Sequence, residues 1–323
     1  MKEPTLYDIV QAAERIKPYM NPSPLFTYPT LNDYLGFTAY IKHENYNPTG
    51  AFKIRGGINL ISQLSSEEKK RGVITASTGN HGQSIALACK IFGVQAHICV
   101  PEGANPLKVA AIRMHGATIH EKGKDFDDAV ENGKQLAESH GYRFINSGNE
   151  PRLIAGVGTI GLEIMQQMPD IDVIISPVGS GTGAGGTATA VKALNPDVKT
   201  ISVQAEKAPS IYMSYKSGNL ESTPTAETFA DGLATRNAFE LPLGILRSHV
   251  DDFILVSEDE MRYSIKLYLQ HCHTVAEGAG AASLAAAVKL KDELKGRKVA
   301  LVLSGGNITF EEILRSIKPR GVP

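Results

Sequence analysis

A lysine occurs in a short segment bounded by glycines, NPTGAFKIRGG at positions 47–57. Pro48 and Gly50 indicate a turn, and a helix is expected to begin near Phe52. Lys53 would then lie in the first helical turn, where the partial positive charge of the helix end disfavours an ammonium group. A lower pKa would leave more of the neutral amine, which is the form that attacks an aldehyde. Taken alone, however, the segment is more simply explained by a solvent-exposed lysine.

A second segment, ASTGNHGQ at positions 76–83, follows a predicted strand directly. Ser77, Thr78, Asn80 and His81 would place hydroxyl, amide and backbone N–H groups at a helix amino terminus. Such an arrangement can bind an anion and suits a carboxylate. An ordinary capping turn, with Ser77 or Thr78 as the cap, explains the segment equally well.

A third segment, PVGSGTGAGG at positions 177–186, also follows an apolar strand and precedes a helix. Its glycines permit close approach of the backbone, so successive N–H groups could bind a phosphate. The spacing of Gly181, Gly183 and Gly186 also fits the dinucleotide pattern G-x-G-x-x-G, with Glu206 as the acidic residue expected further on. From this loop alone, a nicotinamide-dependent oxidoreductase remains an alternative.

Strands and helices alternate along most of the chain, which predicts parallel sheets covered by helices on both faces. Strands are predicted at 73–76, 96–100, 118–120, 172–176, 200–204 and 298–303. Helices are predicted at 82–92, 106–115, 125–140 and 152–167, with another ending near 194. Ligands of such sheets bind at the carboxyl ends of the strands, where the glycine-rich loops lie.

Composition excludes several classes of function. The chain has 323 residues, 42% of them hydrophobic, and a formal net charge of −1, so nucleic acid and an anionic membrane are not expected as partners. We see no secretory signal and no apolar run of about 20 residues, which predicts a cytoplasmic protein. Three scattered cysteines, Cys89, Cys99 and Cys272, suggest buried thiols rather than disulfides or a zinc site.

Taken together, the three segments resemble the signature of fold-type II pyridoxal-phosphate enzymes, the tryptophan synthase β-like group. The similarity is greatest to the serine/threonine dehydratase and serine racemase family. Further matching motifs are IAGVGTIGLE at 154–163, ADG at 230–232, EGAGA at 277–281 and LSGGNI at 303–308. The resemblance implies an α/β fold of two three-layer α/β/α lobes with mainly parallel sheets. Residues 1–64 and 149–323 would form the large cofactor-binding domain, and residues 65–148 a small inserted domain.

The resemblance also assigns roles around the cofactor ring. Lys53 would form a Schiff base with pyridoxal 5'-phosphate and act as the catalytic base. Phe52 and Gly232 would lie on the two faces of the ring, and Asn80 would hydrogen-bond its 3′ oxygen. Ser304 would hydrogen-bond the pyridine nitrogen. Because a neutral hydroxyl should leave this nitrogen unprotonated, the ring would be a weak electron sink, which suits rapid loss of a β-hydroxyl.

Two further groups would bind the charged ends of cofactor and substrate. The phosphate-binding residues would be Gly179, Ser180, Gly181, Thr182 and Gly183. The substrate carboxylate would be held by Ser77, Thr78, Asn80 and His81. Glu277 would line the site near the ring. The substrate side chain is expected to lie around Pro151 and residues 233–239. Arg236 could contact an acid group of the substrate, but a surface cation is the favoured interpretation.

The activity implied is dehydration of L-threonine, L-serine or a related 3-hydroxy amino acid to a 2-oxo acid and ammonia, by a homodimer or higher homo-oligomer. One alternative is a serine or aspartate racemase. Racemases carry a serine at the position of Thr78, and dehydratases often carry an alanine. Threonine keeps the hydroxyl but adds a β-branch that restricts its rotamers, so we expect β-elimination to dominate and racemisation to be minor. The motifs are also compatible with a dehydratase for 3-hydroxyaspartate, phenylserine or a hydroxyectoine catabolite, and with a non-catalytic binding protein. Since the sequence ends at Pro323, a C-terminal regulatory domain is not expected.

We predict that activity does not require a divalent ion. Some relatives bind one through a pair of acids, of which Glu206 is present, but Tyr212 stands at the expected place of the second acid. Exhaustive chelation should therefore leave the rate of 2-oxo acid release unchanged. A loss of activity that magnesium or calcium restores would contradict this prediction.

Overall fold

The structure, a computed structural model, describes residues 1–318 and contains two β-sheets. The strands are β1 (Leu25–Thr27), β2 (Thr38–His43), β3 (Val73–Ala76), β4 (Ala96–Val100), β5 (Thr118–Glu121), β6 (Arg143–Phe144), β7 (Val173–Pro177), β8 (Lys199–Ala205), β9 (Asp252–Val256) and β10 (Lys298–Leu303). Each of the six predicted strands is present, with ends that differ from the prediction by one residue at most.

The helices carry the chain between these strands. They are α1 (Leu6–Ile16), α2 (Pro29–Leu35), α3 (Lys53–Ser62), α4 (Ser66–Arg71), α5 (Asn80–Phe92), α6 (Pro106–Met114), α7 (Phe126–His140), α8 (Pro151–Gln167), α9 (Thr182–Leu194), α10 (Ser210–Ser217), α11 (Glu240–His249), α12 (Glu258–Leu267), α13 (Gly278–Lys289) and α14 (Phe310–Ile317). In the described part of the chain, no helix is both long and apolar enough to cross a membrane.

The larger sheet has the strand order β1-β2-β10-β7-β8-β9 and is parallel except for β1. We call it, with its helices, the large-sheet unit. Alternate residues of its strands pack on opposite faces: Ile174 and Val302 contact α8 and α9, whereas Ile175 and Leu301 belong to the core formed with α13. Both faces of the sheet are therefore covered by helices, which explains why its central strands are almost uniformly apolar.

The smaller sheet has the order β5-β4-β3-β6, and all its strand pairs are parallel. We call it, with α5, α6 and α7, the small-sheet unit. Helix α3 packs against α5 of this unit and against α8 of the large-sheet unit. The lysine helix therefore lies where the two units meet. The glycine-rich loops follow β3 and β7, so both open at carboxyl ends of parallel strands, as predicted.

A cluster of four charged side chains lies buried beside the lysine helix. Arg55 donates from Nε and Nη2 to the two oxygens of Glu44, at 2.7 and 2.8 Å. The same guanidinium binds both oxygens of Glu163, at 2.6 and 2.9 Å. Lys42 also donates to Glu163, at 2.6 Å, so two cations face two carboxylates. The side chains of Arg55, Glu44 and Lys42 have no exposed surface.

This cluster joins four parts of the chain: α3 through Arg55, the turn after β2 through Glu44, β2 itself through Lys42, and α8 through Glu163. Burial alone would raise the pKa of Glu44, but the charge and hydrogen bonds of Arg55, together with the charge of Lys42 and a hydrogen bond from Ser23, outweigh it and hold this pKa below the ordinary range. The carboxylate therefore stays ionised and keeps its partner. The start of α3, two residues before Arg55, is held in a fixed position as a result.

We expect Arg55→Met to destabilise the protein by about 3–5 kcal/mol, because it leaves the fully buried carboxylate of Glu44 and the largely buried one of Glu163 without their guanidinium. The free energy of unfolding, from urea titration, measures this. Lys90→Met is the control, since Lys90 is an exposed cation on a helix and its loss should change stability by less than about 0.5 kcal/mol. Equal effects of the two substitutions would show that the cluster does not hold the fold.

Candidate active site

The amine of Lys53 lies at the centre of the site. As the first residue of α3, Lys53 donates from Nζ to the hydroxyl of Thr182 at 2.9 Å, and Nζ lies 4.9 Å from the centroid of the Phe52 ring. Its own carbonyl accepts a 2.6 Å bond from the hydroxyl of Ser84. Burial of the amine lowers the pKa of Lys53 to about 8. The direction agrees with the sequence-based expectation, but the cause is loss of solvent around the amine rather than the helix end.

The loop after β7 surrounds this amine with small residues. Gly181 has a φ of +89°, which favours glycine, and it caps α9. A Cβ added at Gly179 would overlap the carbonyl oxygen of Gly232, and one added at Gly183 would lie 2.8 Å from the Phe52 ring. The backbone N–H groups of this loop therefore meet at the amino terminus of a 13-residue helix, where an anion is stabilised.

Two further segments close the site. Gly232 lies in a short 3₁₀ turn, Asp231–Leu233, and an added Cβ there would lie 2.8 Å from the methyl group of Ala279. Ser304 follows β10 and is 3% exposed. The carbonyl of Ser304 accepts a 3.0 Å bond from the N–H of Phe52, which joins this loop to the lysine segment.

Asn80 is held by hydrogen bonds at both ends of its side-chain amide. Its Nδ2 donates to Oε1 of Glu277 at 2.7 Å, and its Oδ1 accepts from Nδ2 of Asn307 at 2.7 Å. The same nitrogen of Asn307 also donates to the carbonyl of Thr49, at 2.8 Å. Burial raises the pKa of Glu277 to about 7. The sequence analysis missed Asn307 as a site residue, although it lies in the quoted motif 303–308.

The hydroxyl of Ser77 accepts the N–H groups of Gly79 at 3.2 Å and of Gly82, in the first turn of α5, at 3.0 Å. The N-cap residue of α5 is Gly79, so the expectation that Ser77 or Thr78 is the cap residue was wrong, and the O–H of Ser77 remains available as a donor. His81 is buried, and its Nε2 lies 3.1 Å from the hydroxyl of Thr75. Because that hydroxyl donates to the carbonyl of residue 145, it must accept from His81.

The imidazole of His81 is uncharged near neutral pH. Burial, together with the nearby charge of Lys53, lowers the pKa of His81 to about 3. Its side chain binds Thr75 within the small-sheet unit, so only its backbone N–H is left for a substrate carboxylate. Thr78 is partly exposed in the same loop, next to the start of α5.

Charged side chains bridge the two units beside the site. Lys108 of α6 pairs with Asp231, which precedes Gly232. Arg236 pairs with Asp127 at the start of α7 and lies 3.5 Å from Asp125. The structure agrees with the interpretation of Arg236 as a surface cation, since its side chain is 35% exposed and its partners are exposed carboxylates of the small-sheet unit.

At the position considered for a divalent ion, Glu206 lies 3.7 Å from the ammonium of Lys289, which also donates to the carbonyl of Leu255 at 3.0 Å. Tyr212 packs against Phe253 with ring centroids 5.6 Å apart. Within residues 1–318 there is no group of three or more His, Cys, Asp or Glu side chains placed to hold a metal ion. The three cysteines are buried and free, as predicted.

Comparison with known proteins agrees with this site. The family model described as "Pyridoxal-phosphate dependent enzyme" matches residues 16–305. An L-threonine ammonia-lyase of Thermotoga maritima is 42% identical over 97% of this chain and 78% of its own length. An L-threo-3-hydroxyaspartate ammonia-lyase of Saccharomyces cerevisiae is 38% identical over 95% of this chain and 94% of its own. A solved maize serine racemase superimposes with a TM-score of 0.93 at 31% identity, covering 98% and 97% of the two chains.

The residues present fit pyridoxal phosphate. A buried amine of lowered pKa lies within 2.9 Å of the glycine-rich loop, whose N–H groups could hold a phosphate. The neutral hydroxyl of Ser304 and the amide of Asn80 are the groups that could contact the ring. The nicotinamide alternative is set aside because the family model that matches residues 16–305 describes pyridoxal-phosphate-dependent enzymes. With the family match over most of its length and the fold-type II architecture of its structural neighbours, the chain belongs to the pyridoxal-phosphate-dependent enzyme family.

Proposed function

We propose that the chain is an ammonia-lyase that removes water from L-threonine or L-serine and releases a 2-oxo acid and ammonia. The observation that carries the proposal is the position of the Lys53 amine, buried and 2.9 Å from Thr182 in the glycine-rich loop. The relatives named as threonine ammonia-lyases support the choice of reaction. The proposed activity requires Lys53 to be both the attachment lysine and the catalytic base, as the sequence motifs predict.

When bound, pyridoxal phosphate supplies a carbonyl carbon for the substrate amine and a conjugated ring that delocalises the electron pair left at the α-carbon. The neutral amine of Lys53 acts as the base and takes the proton from the α-carbon. Burial lowers the pKa of this amine, so its neutral form is accessible near neutral pH. The β-hydroxyl takes up a proton and leaves as water, and this proton balances the one that Lys53 removes from the α-carbon. Hydrolysis of the released enamine gives the 2-oxo acid and ammonia.

We assign the remaining residues as the motifs imply. The phosphate would be bound by Gly179, Ser180, Gly181, Thr182 and Gly183, and the ring would be contacted by Phe52, Asn80, Gly232, Glu277 and Ser304. The substrate carboxylate would be held by the hydroxyls of Ser77 and Thr78 and by backbone N–H groups at the start of α5. The neutral imidazole of His81 supports its assignment as a backbone donor rather than a cation.

A substrate with a neutral side chain is favoured over 3-hydroxyaspartate. The cations that bridge the units beside the site, Lys108 and Arg236, are already paired with Asp231 and Asp127. A second substrate carboxylate would have to displace one of these partners and would also approach Glu277. Because neither Lys108 nor Arg236 offers an unpaired cation for a second substrate carboxylate, threonine and serine are the better candidates.

We also propose the domain boundaries predicted from the sequence, a cytoplasmic location and a homodimer or higher homo-oligomer. The four-stranded sheet lies wholly between residues 73 and 144, which supports a small domain of residues 65–148. Three free, buried thiols suit a reducing compartment. Sedimentation equilibrium of the holoenzyme would test the homodimer, which a monomeric mass would contradict.

Lys53→Ala should lower 2-oxo acid release from L-threonine and L-serine by at least about 10³-fold, because the variant lacks both the attachment amine and the base. The wild-type absorbance band near the violet edge should disappear on borohydride reduction and be absent from the variant. Lys90→Ala serves as the control and should retain full activity. In the same assay, higher kcat/KM for 3-hydroxyaspartate than for either proposed substrate would refute the preference for a neutral side chain.

Racemisation is the second candidate activity, and Thr78 is the residue that bears on it. Its hydroxyl could exchange a proton on the face opposite Lys53, but its β-branch restricts the rotamers available. We expect L-serine to yield pyruvate faster than D-serine, and Thr78→Ser to raise the D-serine share. Thr78→Ala should abolish D-serine while elimination continues. Chiral chromatography of the products decides the matter, and D-serine in excess from the wild type would reverse the assignment.

A further inference from the structure

We propose that Asn307 is a positioning residue that determines which way the side-chain amide of Asn80 faces, and so whether an N–H group points toward the cofactor ring. Asn307 contacts three segments that the motifs place in the site. Its side chain binds Thr49 of the lysine segment and Asn80, and its backbone N–H is hydrogen-bonded to Glu277. We call these four residues the Asn307 relay. The proposal rests on the role of Asn80 proposed above.

The direction of every bond in the relay follows from one backbone carbonyl. The carbonyl oxygen of Thr49 can only accept, so the side-chain atom of Asn307 that lies 2.8 Å away must be nitrogen. This nitrogen has a second hydrogen, which points to the terminal atom of Asn80 at 2.7 Å. That atom must therefore be the amide oxygen. Asn80 is left with its NH₂ group on the opposite side, away from Asn307.

The other end of the relay agrees with this direction. The NH₂ group of Asn80 lies 2.7 Å from Oε1 of Glu277, which accepts one of its two hydrogens. If the amide of Asn80 were reversed, its oxygen would face the Glu277 carboxyl while two NH₂ groups faced each other. The second hydrogen of Asn80 is then free for an acceptor in the site, such as a ring oxygen.

Backbone contacts between residues 305–306 and residues 50–51 fix the position of Asn307. The N–H of Gly306 donates to the carbonyl of Gly50 at 2.9 Å, and Ala51 pairs with Gly305 in a short antiparallel bridge. A Cβ added at Gly50 would lie 2.6 Å from Oδ1 of Asn307, so the amide fits closely against this glycine. The side chain thus has little room to rotate away from Thr49.

Asn307→Asp tests the relay, because it replaces both donated hydrogens with an acceptor at almost unchanged volume. Asn80 should turn its NH₂ group toward the new carboxylate, and its N–H would no longer reach the ring oxygen. A hydrogen bond donated to the ring oxygen stabilises its deprotonated, anionic form and lowers the pKa. Loss of this bond should therefore raise the pH at which the bound cofactor's absorbance titrates, by about one unit. We also expect cofactor affinity to fall by about tenfold.

Asn45→Asp is the matched control. Asn45 also donates twice, to the hydroxyl of Thr274 at 2.8 Å and the carbonyl of Val275 at 3.1 Å, and lies beside Gly306 without touching Asn80. It should leave the absorbance titration unchanged even if it lowers stability. Should Asn307→Asp fail to fold, Asn307→Ala removes the same hydrogens without adding charge. The amide of Asn80 then loses the donor that holds its oxygen, so the titration should shift in the same direction by a smaller amount.

The double variant Asn80→Ala with Asn307→Asp shows whether Asn307 acts through Asn80. Its absorbance titration should match that of Asn80→Ala alone. A wild-type titration for Asn307→Asp, alongside a shifted one for Asn80→Ala, would overturn the inference while leaving the proposed site intact. If Asn80→Ala itself titrated like the wild type, the assigned role of Asn80 would be wrong, and the inference with it.

Discussion

The pairing of Arg55 with Glu44 and Glu163 is the interaction on which the position of the site depends. Arg55 lies two residues after Lys53 on the same helix, and its guanidinium is bound on both sides by buried carboxylates. One carboxylate belongs to the turn after β2 and the other to α8. Because neither charge can leave its partner without a large desolvation cost, the helix start cannot shift along its axis. The reactive amine is therefore placed by a contact that never touches a substrate.

The cluster also shows why this region of the sequence is rich in small residues. Helices α3 and α8 approach closely: a Cβ added at Gly156 would lie 2.6 Å from the carbonyl of Arg55, and one at Gly56 would lie 3.0 Å from the carbonyl of Leu153. Close approach lets the side chain of Glu163 reach Arg55 from the neighbouring helix. Glycines in the middle of a helix cost stability, and here the ion pair and the packing offset that cost.

Local patterns predicted the parts of the fold that depend on neighbours in sequence. Short segments were enough to predict the strands on either side of α5 and α9, the glycine-rich turns and the position of Lys53 at the start of a helix. The partners of Asn80 did not, since Asn307 lies 227 positions away and Glu277 lies 197 positions away. The partner of Arg236 was not predicted for the same reason, because Asp127 lies 109 positions earlier. Side-chain pairing over such distances is decided by the tertiary fold and leaves no periodic pattern.

Burial moves the titratable groups of the site toward their neutral forms. It lowers the pKa of Lys53 to about 8 and that of His81 to about 3, and it raises the pKa of Glu277 to about 7. The cations Lys108 and Arg236 beside the site are matched by carboxylates. A phosphate and a substrate carboxylate would therefore meet backbone N–H groups, hydroxyls and amides rather than free cations. In such a site the orientation of each amide decides what is bound, which is why a single backbone carbonyl at Thr49 can matter to the cofactor ring.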